Sequence, residues 1–143
     1  VLDLGCGSGI LSIAALRLGA SQALAVDIDD KCLDVAYENA ALNGIGRDRY
    51  TVRAGDILSD RALAAQLACQ RYHLVLANIV ADAICMLAGP MTRHLVKGGL
   101  LICSGIIRER EADVQKAAKE AGYRQVDRIE KGEWVALCLK NEA

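Results

Sequence analysis

Short apolar segments alternate along the chain with segments of helical periodicity. Strands buried on both faces of a parallel sheet show such continuous apolar runs, because helices cover both sides of the sheet. The alternation therefore predicts an α/β fold. Five parallel strands are predicted, over Val1–Leu4, Ala23–Asp27, Tyr50–Ala54, Tyr72–Ala77 and Leu100–Ser104.

Helices are predicted between these strands from apolar residues at helical spacing, and capping side chains mark the start of several of them. The fourth helix starts just after Asn78 and reaches Leu95. A break is expected within it at Gly89-Pro90, because proline lacks the N–H group and clashes with the preceding turn. The other helices are one capped by Ser8 and ended by Gly19, one opened by Asp29 or Asp30 and ended by Asn43-Gly44, a short one capped by Ser59 or Asp60, and one over Arg110–Ala121.

The C-terminal part departs from this alternation. After a turn predicted at Lys97-Gly98-Gly99, two strands over Tyr123–Glu130 and Glu133–Lys140 are separated only by Lys131-Gly132. This connection is too short for a parallel crossover, so an antiparallel hairpin is predicted. The expected fold is a doubly wound α/β sheet of seven strands, mostly parallel, with helices on both faces, in one domain over residues 1–143. Because a strand begins at the first residue, we expect a piece of a longer chain.

Composition and charge restrict the class of protein. The 143 residues are 53% hydrophobic and 24% charged, a balance typical of a chain that packs a core. Seventeen basic and eighteen acidic residues leave a net charge of −1, so direct nucleic-acid binding is not expected. No apolar run is long enough to span a bilayer and no export signal begins the chain, which predicts a soluble, cytoplasmic protein without membrane contact.

The cysteines are scattered and show no metal-binding spacing. No C-x-x-C pair is present, and most of the cysteines lie in apolar stretches. We interpret them as small buried hydrophobic residues in a reducing compartment, and we expect no bound metal. The six are Cys6, Cys32, Cys69, Cys85, Cys103 and Cys138.

A glycine-rich turn and a carboxylate follow the first two predicted strands. Gly5, Gly7 and Gly9 alternate in the turn, which lets a ligand approach the backbone near the positive end of the first helix. Ile10 occupies the position where a dinucleotide-binding fingerprint has its third glycine. This difference argues against a dinucleotide as the ligand. Asp27 ends the second strand, where its carboxylate can accept hydrogen bonds from two ribose hydroxyls. A nucleoside with a free 2′-hydroxyl is implied, with tight packing of the turn and helix capping as the alternative roles.

Two further polar residues follow the third and fourth strands. Asp56 can accept from the exocyclic amine of a base, although Gly55-Asp56 is also an ordinary turn sequence. Asn78 can accept from an amine N–H group and so aim the nitrogen lone pair at an electrophile without supplying a base. It can equally cap the next helix. Asn78 is the residue that we predict to touch the reacting group.

Together these features resemble a class I S-adenosylmethionine-dependent methyltransferase, whose Rossmann-like sheet ends in an antiparallel hairpin. Several short motifs are more narrowly similar to the ribosomal protein L11 methyltransferase family, and the similarity covers the whole chain. The motifs are Gly9–Ala15, Asp27–Asp29, Glu38–Ala40 with Asn43-Gly44, Ala77–Ala81, Ser104–Ile106 and Gly132–Trp134.

The resemblance implies transfer of methyl groups from S-adenosylmethionine to lysine side chains and an N-terminal amine of a large-subunit ribosomal protein. It implies Asn78 as the catalytic residue. Members of the family also carry an N-terminal domain that grips the ribosomal protein, and this domain is absent from the present sequence. The residues expected to bind the cofactor are Asp3, Gly5, Cys6, Gly7, Asp27, Ile28, Asp56, Ile57 and Asn78.

Other interpretations stay open. A methyltransferase of this fold can act on a small molecule or on RNA, although Asn78 is not followed by the Pro-Pro-aromatic sequence of enzymes that methylate nucleic-acid amines. A nucleotide-binding oxidoreductase or a non-catalytic binding module is a further alternative. Asp82 is predicted to be a charge on the helix surface, with a proton acceptor as the alternative role. Trp134 is predicted to pack within the hairpin rather than to act as a stacking platform. His73 and His94 are predicted to be structural or solvated.

Overall fold

A computed structural model describes all residues from 1 to 143. Its strands are β1 (Leu2–Leu4), β2 (Ala23–Asp27), β3 (Tyr50–Ala54), β4 (Tyr72–Asn78), β5 (Leu95–Ile107), β6 (Tyr123–Lys131) and β7 (Trp134–Asn141). Its helices are α1 (Ile10–Arg17), α2 (Cys32–Leu42), α3 (Arg61–Leu67), α4 (Ala81–Met91) and α5 (Glu111–Glu120), and a short 3₁₀ turn over Arg108–Arg110 precedes α5.

The first of two compact units covers Val1–Gln66. Its three strands are parallel, in the order β3-β2-β1. The register pairs Ala25 with Val52, and both side chains are buried. Ile13 of α1 and Ala36 of α2 belong to the same apolar cluster. Burial of each large aliphatic side chain contributes about 1.5–3 kcal/mol, so this cluster fixes the two helices against the strands.

The second unit covers Leu67–Ala143 and contains both parallel and antiparallel strand pairs. Its strand order is β4-β5-β7-β6, in which β4 and β5 are parallel and the other two pairs are antiparallel. Helix α4 contacts β5, α5 contacts β6, and the two helices contact each other. Val114 and Ala118 are the buried residues of α5.

The seven strands belong to one mixed sheet, which confirms the predicted fold class. The C-terminal hairpin is also confirmed. Its turn is Gly132-Glu133 rather than Lys131-Gly132, because Lys131 still pairs with Trp134. No helix is long and apolar enough to cross a membrane.

The connection between α4 and β5 differs from the prediction. Helix α4 ends at Met91, one residue after Pro90, and Leu95 lies at the start of β5, where it pairs with Tyr72. The predicted turn at Lys97-Gly98-Gly99 is instead part of β5. Pairing with β4 jumps from Leu95 to Leu100, so the residues between form a bulge, and Gly98 adopts a φ of +77°. Helical spacing placed Leu95 in α4 because a buried strand residue satisfies the same apolar pattern.

Four details of helix capping and burial were predicted incorrectly or left open. Ser8 does not cap α1; the N-cap is Gly9, with a left-handed φ of +84°. Lys31, rather than an aspartate, is the N-cap of α2. Asp60, not Ser59, caps α3, since its Oδ1 accepts from the Leu63 N–H at 3.0 Å. Among the cysteines, Cys6 and Cys103 are buried as predicted, whereas Cys32, Cys85 and Cys138 are only half-buried and Cys69 is exposed.

Candidate functional site

The glycine-rich turn after β1 depends on left-handed backbone conformations. Gly5, Gly7 and Gly9 have φ values of +70°, +52° and +84°, a region that side chains with a Cβ atom rarely adopt. A Cβ atom added at Gly7 would meet nothing within 4 Å, whereas one at Gly9 would lie 2.9 Å from the Tyr50 hydroxyl. Gly7 is therefore open to a ligand, and Gly9 is required by packing within the protein.

Asp27 holds this turn through its carboxylate. Oδ2 accepts from the Gly7 N–H at 2.9 Å, and Oδ1 accepts from the Asp29 N–H at 2.9 Å. The side chain is half-buried, and each carboxylate oxygen can accept more than one hydrogen bond. Asp27 can thus fix the turn and still accept from hydroxyl groups of a ligand. Its bond to the Asp29 N–H closes a local turn ahead of α2 and does not cap that helix, whose N-cap is Lys31.

Asp3 and Cys6 lie beneath the turn rather than on its open side. Asp3 is 1% exposed, and its Oδ2 accepts hydrogen bonds from both the N–H and the Oγ of Ser12 in α1. Burial raises the pKa of the Asp3 carboxyl, against the opposing effect of the Ser12 hydrogen bonds. Burial also raises the pKa of the Cys6 thiol to about 12. These buried side chains support the turn from below.

Asp56 and Ile57 lie beside Asp27 at the carboxyl ends of neighbouring strands. The Gly55 N–H donates to the Asp27 carbonyl at 2.9 Å, which brings the two ends together. Asp56 accepts from the Leu58 N–H through Oδ1 and from the Ser59 hydroxyl through Oδ2, both at 3.0 Å, so it shapes its own loop. We call the set Gly5–Gly9, Asp27, Ile28, Asp56 and Ile57 the turn site.

One supporting residue of the turn site was given no role by the sequence analysis. The Asn39 side chain, in α2, donates from Nδ2 to the Ser8 carbonyl at 2.9 Å. It therefore ties the back of the glycine turn to a helix that lies far away in the sequence. Asn39 is part of a motif in the resemblance described above, but only the tertiary contact shows what its amide does.

In the second unit, Asn78 lies at the end of β4 with an exposed side chain. It contributes to a cavity of about 380 Å³, which we call the Asn78 cavity. Apolar groups dominate the wall, with the Asn78 amide and one ion pair as its polar parts. The lining residues are Asn78, Ile79, Val80, Ala81, Asp82, Gly105, Ile107, Arg110 and Trp134.

The ion pair of this cavity joins Asp82 to Arg110. Arg110 contacts Asp82 through Nη2 and Asp113 through Nε, the latter at 2.7 Å, so one guanidinium connects α4 to α5. The hydrogen bond and the charge of Arg110 lower the pKa of the Asp82 carboxyl. A carboxylate stabilised in its ionised form is a weaker proton acceptor, which argues against the role considered for Asp82 from the sequence.

Trp134 is the residue whose surroundings differ most from the prediction. It is 50% exposed and lines the Asn78 cavity instead of being enclosed by the hairpin. The two histidines are not part of this cavity: His73 is exposed on β4, and His94 is buried, which lowers the pKa of its imidazole. No group of three or more His, Cys, Asp or Glu side chains is arranged to hold a metal ion.

The fold of the chain is shared by a protein of known structure. A solved structure of the ribosomal protein L11 methylase from Lactobacillus delbrueckii subsp. bulgaricus superposes with a TM-score of 0.87 and 33% identity, over 99% of this chain and 69% of that one. The fold is therefore that of a methyltransferase. The pattern of the family described as ribosomal protein L11 methyltransferase (PrmA) matches residues 1–142. The chain belongs to this family.

Individual relatives support the same assignment. The chain is 42% identical over 142 residues to the ribosomal protein L11 methyltransferase of Geobacter sulfurreducens and 38% identical over 140 residues to that of Agathobacter rectalis. These alignments include 99% and 98% of this chain, but only 44% and 43% of the two relatives. The chain thus spans less than half the length of the curated relatives that it matches.

Proposed function

We propose that this chain is the S-adenosylmethionine-dependent catalytic part of a cytoplasmic protein methyltransferase. Its proposed substrates are amino nitrogens, namely lysine side chains and the N-terminal amine, of the large-subunit ribosomal protein L11. The observation that carries the proposal is the turn site, in which an open left-handed Gly7 is held by the Asp27 carboxylate. Membership of the L11 methyltransferase family supports the choice of substrate.

The residues of the turn site fit the parts of S-adenosylmethionine. The open space above Gly7 allows the methionine portion to approach the backbone of Gly5 and Gly7 without meeting a Cβ atom. The Asp27 carboxylate has acceptor capacity for the ribose hydroxyls. Ile28, which is 76% exposed, and the half-buried Ile57 supply apolar surface for the base, and Asp56 can accept from its amine. Asp3 and Cys6 contribute by supporting the turn.

The bound cofactor supplies an electrophilic methyl group on a positively charged sulfur. The protein must then present a neutral amine in line with that group. A free lysine has a pKa of about 10.4 and is charged at neutral pH. Desolvation by the apolar wall of the cavity disfavours the ammonium form of the lysine; this wall is formed by Ile79, Val80, Ile107 and Trp134. The Asn78 amide oxygen can accept a hydrogen bond from an N–H of the neutral amine and so orient the nitrogen lone pair.

The substrate is proposed to be a protein rather than a nucleic acid. The net charge is −1, so the chain lacks the broad basic surface that binds phosphates. Asn78 is followed by Ile79 and Val80, both of which line the cavity. These aliphatic groups suit the methylene stem of a lysine, whereas an extruded base is held between aromatic or apolar faces together with contacts to its polar edge.

Cofactor binding is tested by thermal unfolding of the chain with S-adenosylhomocysteine, with NAD and with neither. A ligand at about 100 times its dissociation constant stabilises the folded state by about 2.7 kcal/mol, which raises Tm by a few degrees in a domain of this size. We expect a rise with S-adenosylhomocysteine only. The same measurement on Asp27→Ala tests whether the rise depends on this carboxylate. Asp29→Ala, which changes the same loop without removing a contact to Gly7, is the matched control. A rise with NAD only would contradict the proposal.

Substrate choice is tested by incubating the chain with methyl-labelled S-adenosylmethionine and purified ribosomal protein L11, free ribosomal RNA or free lysine. Mass spectrometry of L11 should locate methyl groups on amino nitrogens. Label that appears only in RNA or in free lysine would retain the methyltransferase assignment and refute the protein substrate.

A further inference from the structure

A single glycine in β5 lies against the side chain of Asn78. Gly105 has a φ of +73°, and the pairing of β5 with β7 is irregular between Cys103 and Ile106, where Gly105 lies. Such a bulge bends a strand and changes the direction of nearby side chains. Glycine can adopt the left-handed conformation at the bulge without strain. On its other side, β5 pairs without interruption with β4 from Leu100 to Ser104, and Ser104 lies opposite Asn78.

The space beside Gly105 is already filled by Asn78. A Cβ atom added at Gly105 would lie 2.6 Å from Asn78 Oδ1 and 3.5 Å from the Ile79 carbonyl oxygen. The first distance is shorter than real Cβ contacts allow, so one of the two groups would have to move. The Asn78 backbone is held in the β4–β5 pairing, which leaves its side chain as the group that moves.

We propose that Gly105 is a positioning residue for Asn78. Its missing side chain lets the Asn78 amide lie back against β5, and this sets both the direction of the amide and the space left in the cavity for the substrate amine. Both residues line the same cavity. The effect on catalysis rests on the role of Asn78 in the proposed function, whereas the effect on the Asn78 side chain does not.

The chain offers a matched control for the substitution Gly105→Ala. Alanine at position 105 is disfavoured for two reasons: the backbone there is left-handed, and the added Cβ atom would clash with the Asn78 side chain. Gly98 lies in the same strand with a φ of +77°, and its nearest neighbour to an added Cβ is Lys140 Cε at 3.6 Å, an ordinary contact. Gly98→Ala therefore reproduces the backbone strain without the contact, and the difference between the two variants isolates the contact.

The first measurement is the methylation rate together with S-adenosylhomocysteine affinity. A misplacement of a reacting group by 1 Å can cost about 100-fold in rate. We expect Gly105→Ala to lower kcat at least about tenfold more than Gly98→Ala does, with cofactor affinity changed alike in both. In an Asn78→Ala background the two alanine substitutions should have equal effects. Unequal effects there, or equal effects in the unsubstituted background, would refute the proposal.

The second measurement does not depend on activity. The side-chain amide resonance of Asn78, identified by its loss in Asn78→Ala, should shift in Gly105→Ala and stay in place in Gly98→Ala. An unchanged resonance in Gly105→Ala would overturn the proposal even if the rate fell. If the unsubstituted chain transfers no methyl group, the proposed function fails, and this resonance still decides whether Gly105 positions Asn78.

Folding of the variant is also informative. If Gly105→Ala does not fold, the double variant Gly105→Ala with Asn78→Ala removes the contact and should recover a cooperative thermal transition. Failure of the double variant to fold, with Gly98→Ala folded, would show that the contact with Asn78 is not what position 105 must avoid, and would refute the proposal.

Discussion

The turn site and the Asn78 cavity use their polar groups in opposite ways. In the turn site the carboxylates of Asp27 and Asp56 each accept a backbone N–H of the protein, so the loops are held in place before any ligand arrives. In the Asn78 cavity an exposed amide stands among apolar side chains. The first arrangement favours rigid recognition of a ligand, and the second favours the orientation of a group that must react.

Glycine shows the same contrast at single positions. Gly7 leaves open space beside the turn, whereas the space beside Gly105 holds the protein's own Asn78 side chain. Both residues have a positive φ, so conformation alone does not distinguish them. Their surroundings do, because one gap is accessible to a ligand and the other already serves the protein.

The largest effect is expected for Asn78→Ala. Removal of the amide should lower methyl transfer by about 100-fold, the size expected when a reacting group loses its alignment. The affinity for S-adenosylhomocysteine, measured by calorimetry, should stay nearly constant because the turn site is unchanged. His73→Ala, an exposed position on the same strand, is the control expected to keep the rate. Equal losses in rate and cofactor affinity would contradict the separation of the two regions.

Asp27→Ala should give the opposite pattern. Hydrogen bonds to a charged group are worth about 1.5–3 kcal/mol, so loss of the carboxylate should weaken S-adenosylhomocysteine binding by tenfold or more, roughly. The rate at saturating cofactor should fall less. Binding calorimetry on Asp27→Ala and on Asp29→Ala provides the comparison, and equal affinities in the two variants would exclude a specific role for Asp27.

Gly9→Ala should destabilise the protein through packing under the turn. A left-handed alanine costs about 1–2 kcal/mol, and the contact with the Tyr50 hydroxyl adds to this. Gly44→Ala is the control, since its φ is +70° and an added Cβ would meet nothing within 4 Å. In urea unfolding, Gly9→Ala should cost more than Gly44→Ala. Tyr50→Phe should reduce this difference without abolishing it, because the Ala36 Cβ, 3.3 Å from the added group, remains. If the difference is undiminished in the Tyr50→Phe background, the Tyr50 hydroxyl does not contribute to it.

Asp3→Asn should produce the smallest change, which depends on pH. The folded-state pKa of Asp3 is raised above its ordinary value of 3.8, so the folded protein binds the proton more tightly than the unfolded chain. The free energy of unfolding therefore falls as pH rises from that value through the raised pKa. Asn keeps an acceptor for Ser12 but does not titrate. The difference in unfolding free energy between Asp3→Asn and the unsubstituted protein should increase over this pH interval and be constant above it.

Sequence patterns predicted the sheet well because buried parallel strands and a short hairpin connection leave strong local signals. They failed between α4 and β5, where Leu95 satisfied a helical spacing although its position depends on pairing with Tyr72. The family assignment followed from short motifs and was confirmed by comparison with relatives. The cofactor-binding residues and the catalytic role of Asn78 stay predictions that the variants above can test.

The sequence by itself determined the positions that require glycine, the aspartate at the end of β2 and the asparagine at the end of β4, because backbone conformation and strand endings are encoded locally. Tertiary structure decided which of these side chains are accessible. It placed Asp3 under the turn, joined Asn39 to Ser8, and brought Gly105 and Trp134 to Asn78. Contacts of this kind depend on strand register and helix packing, which arise from interactions between residues far apart in the chain.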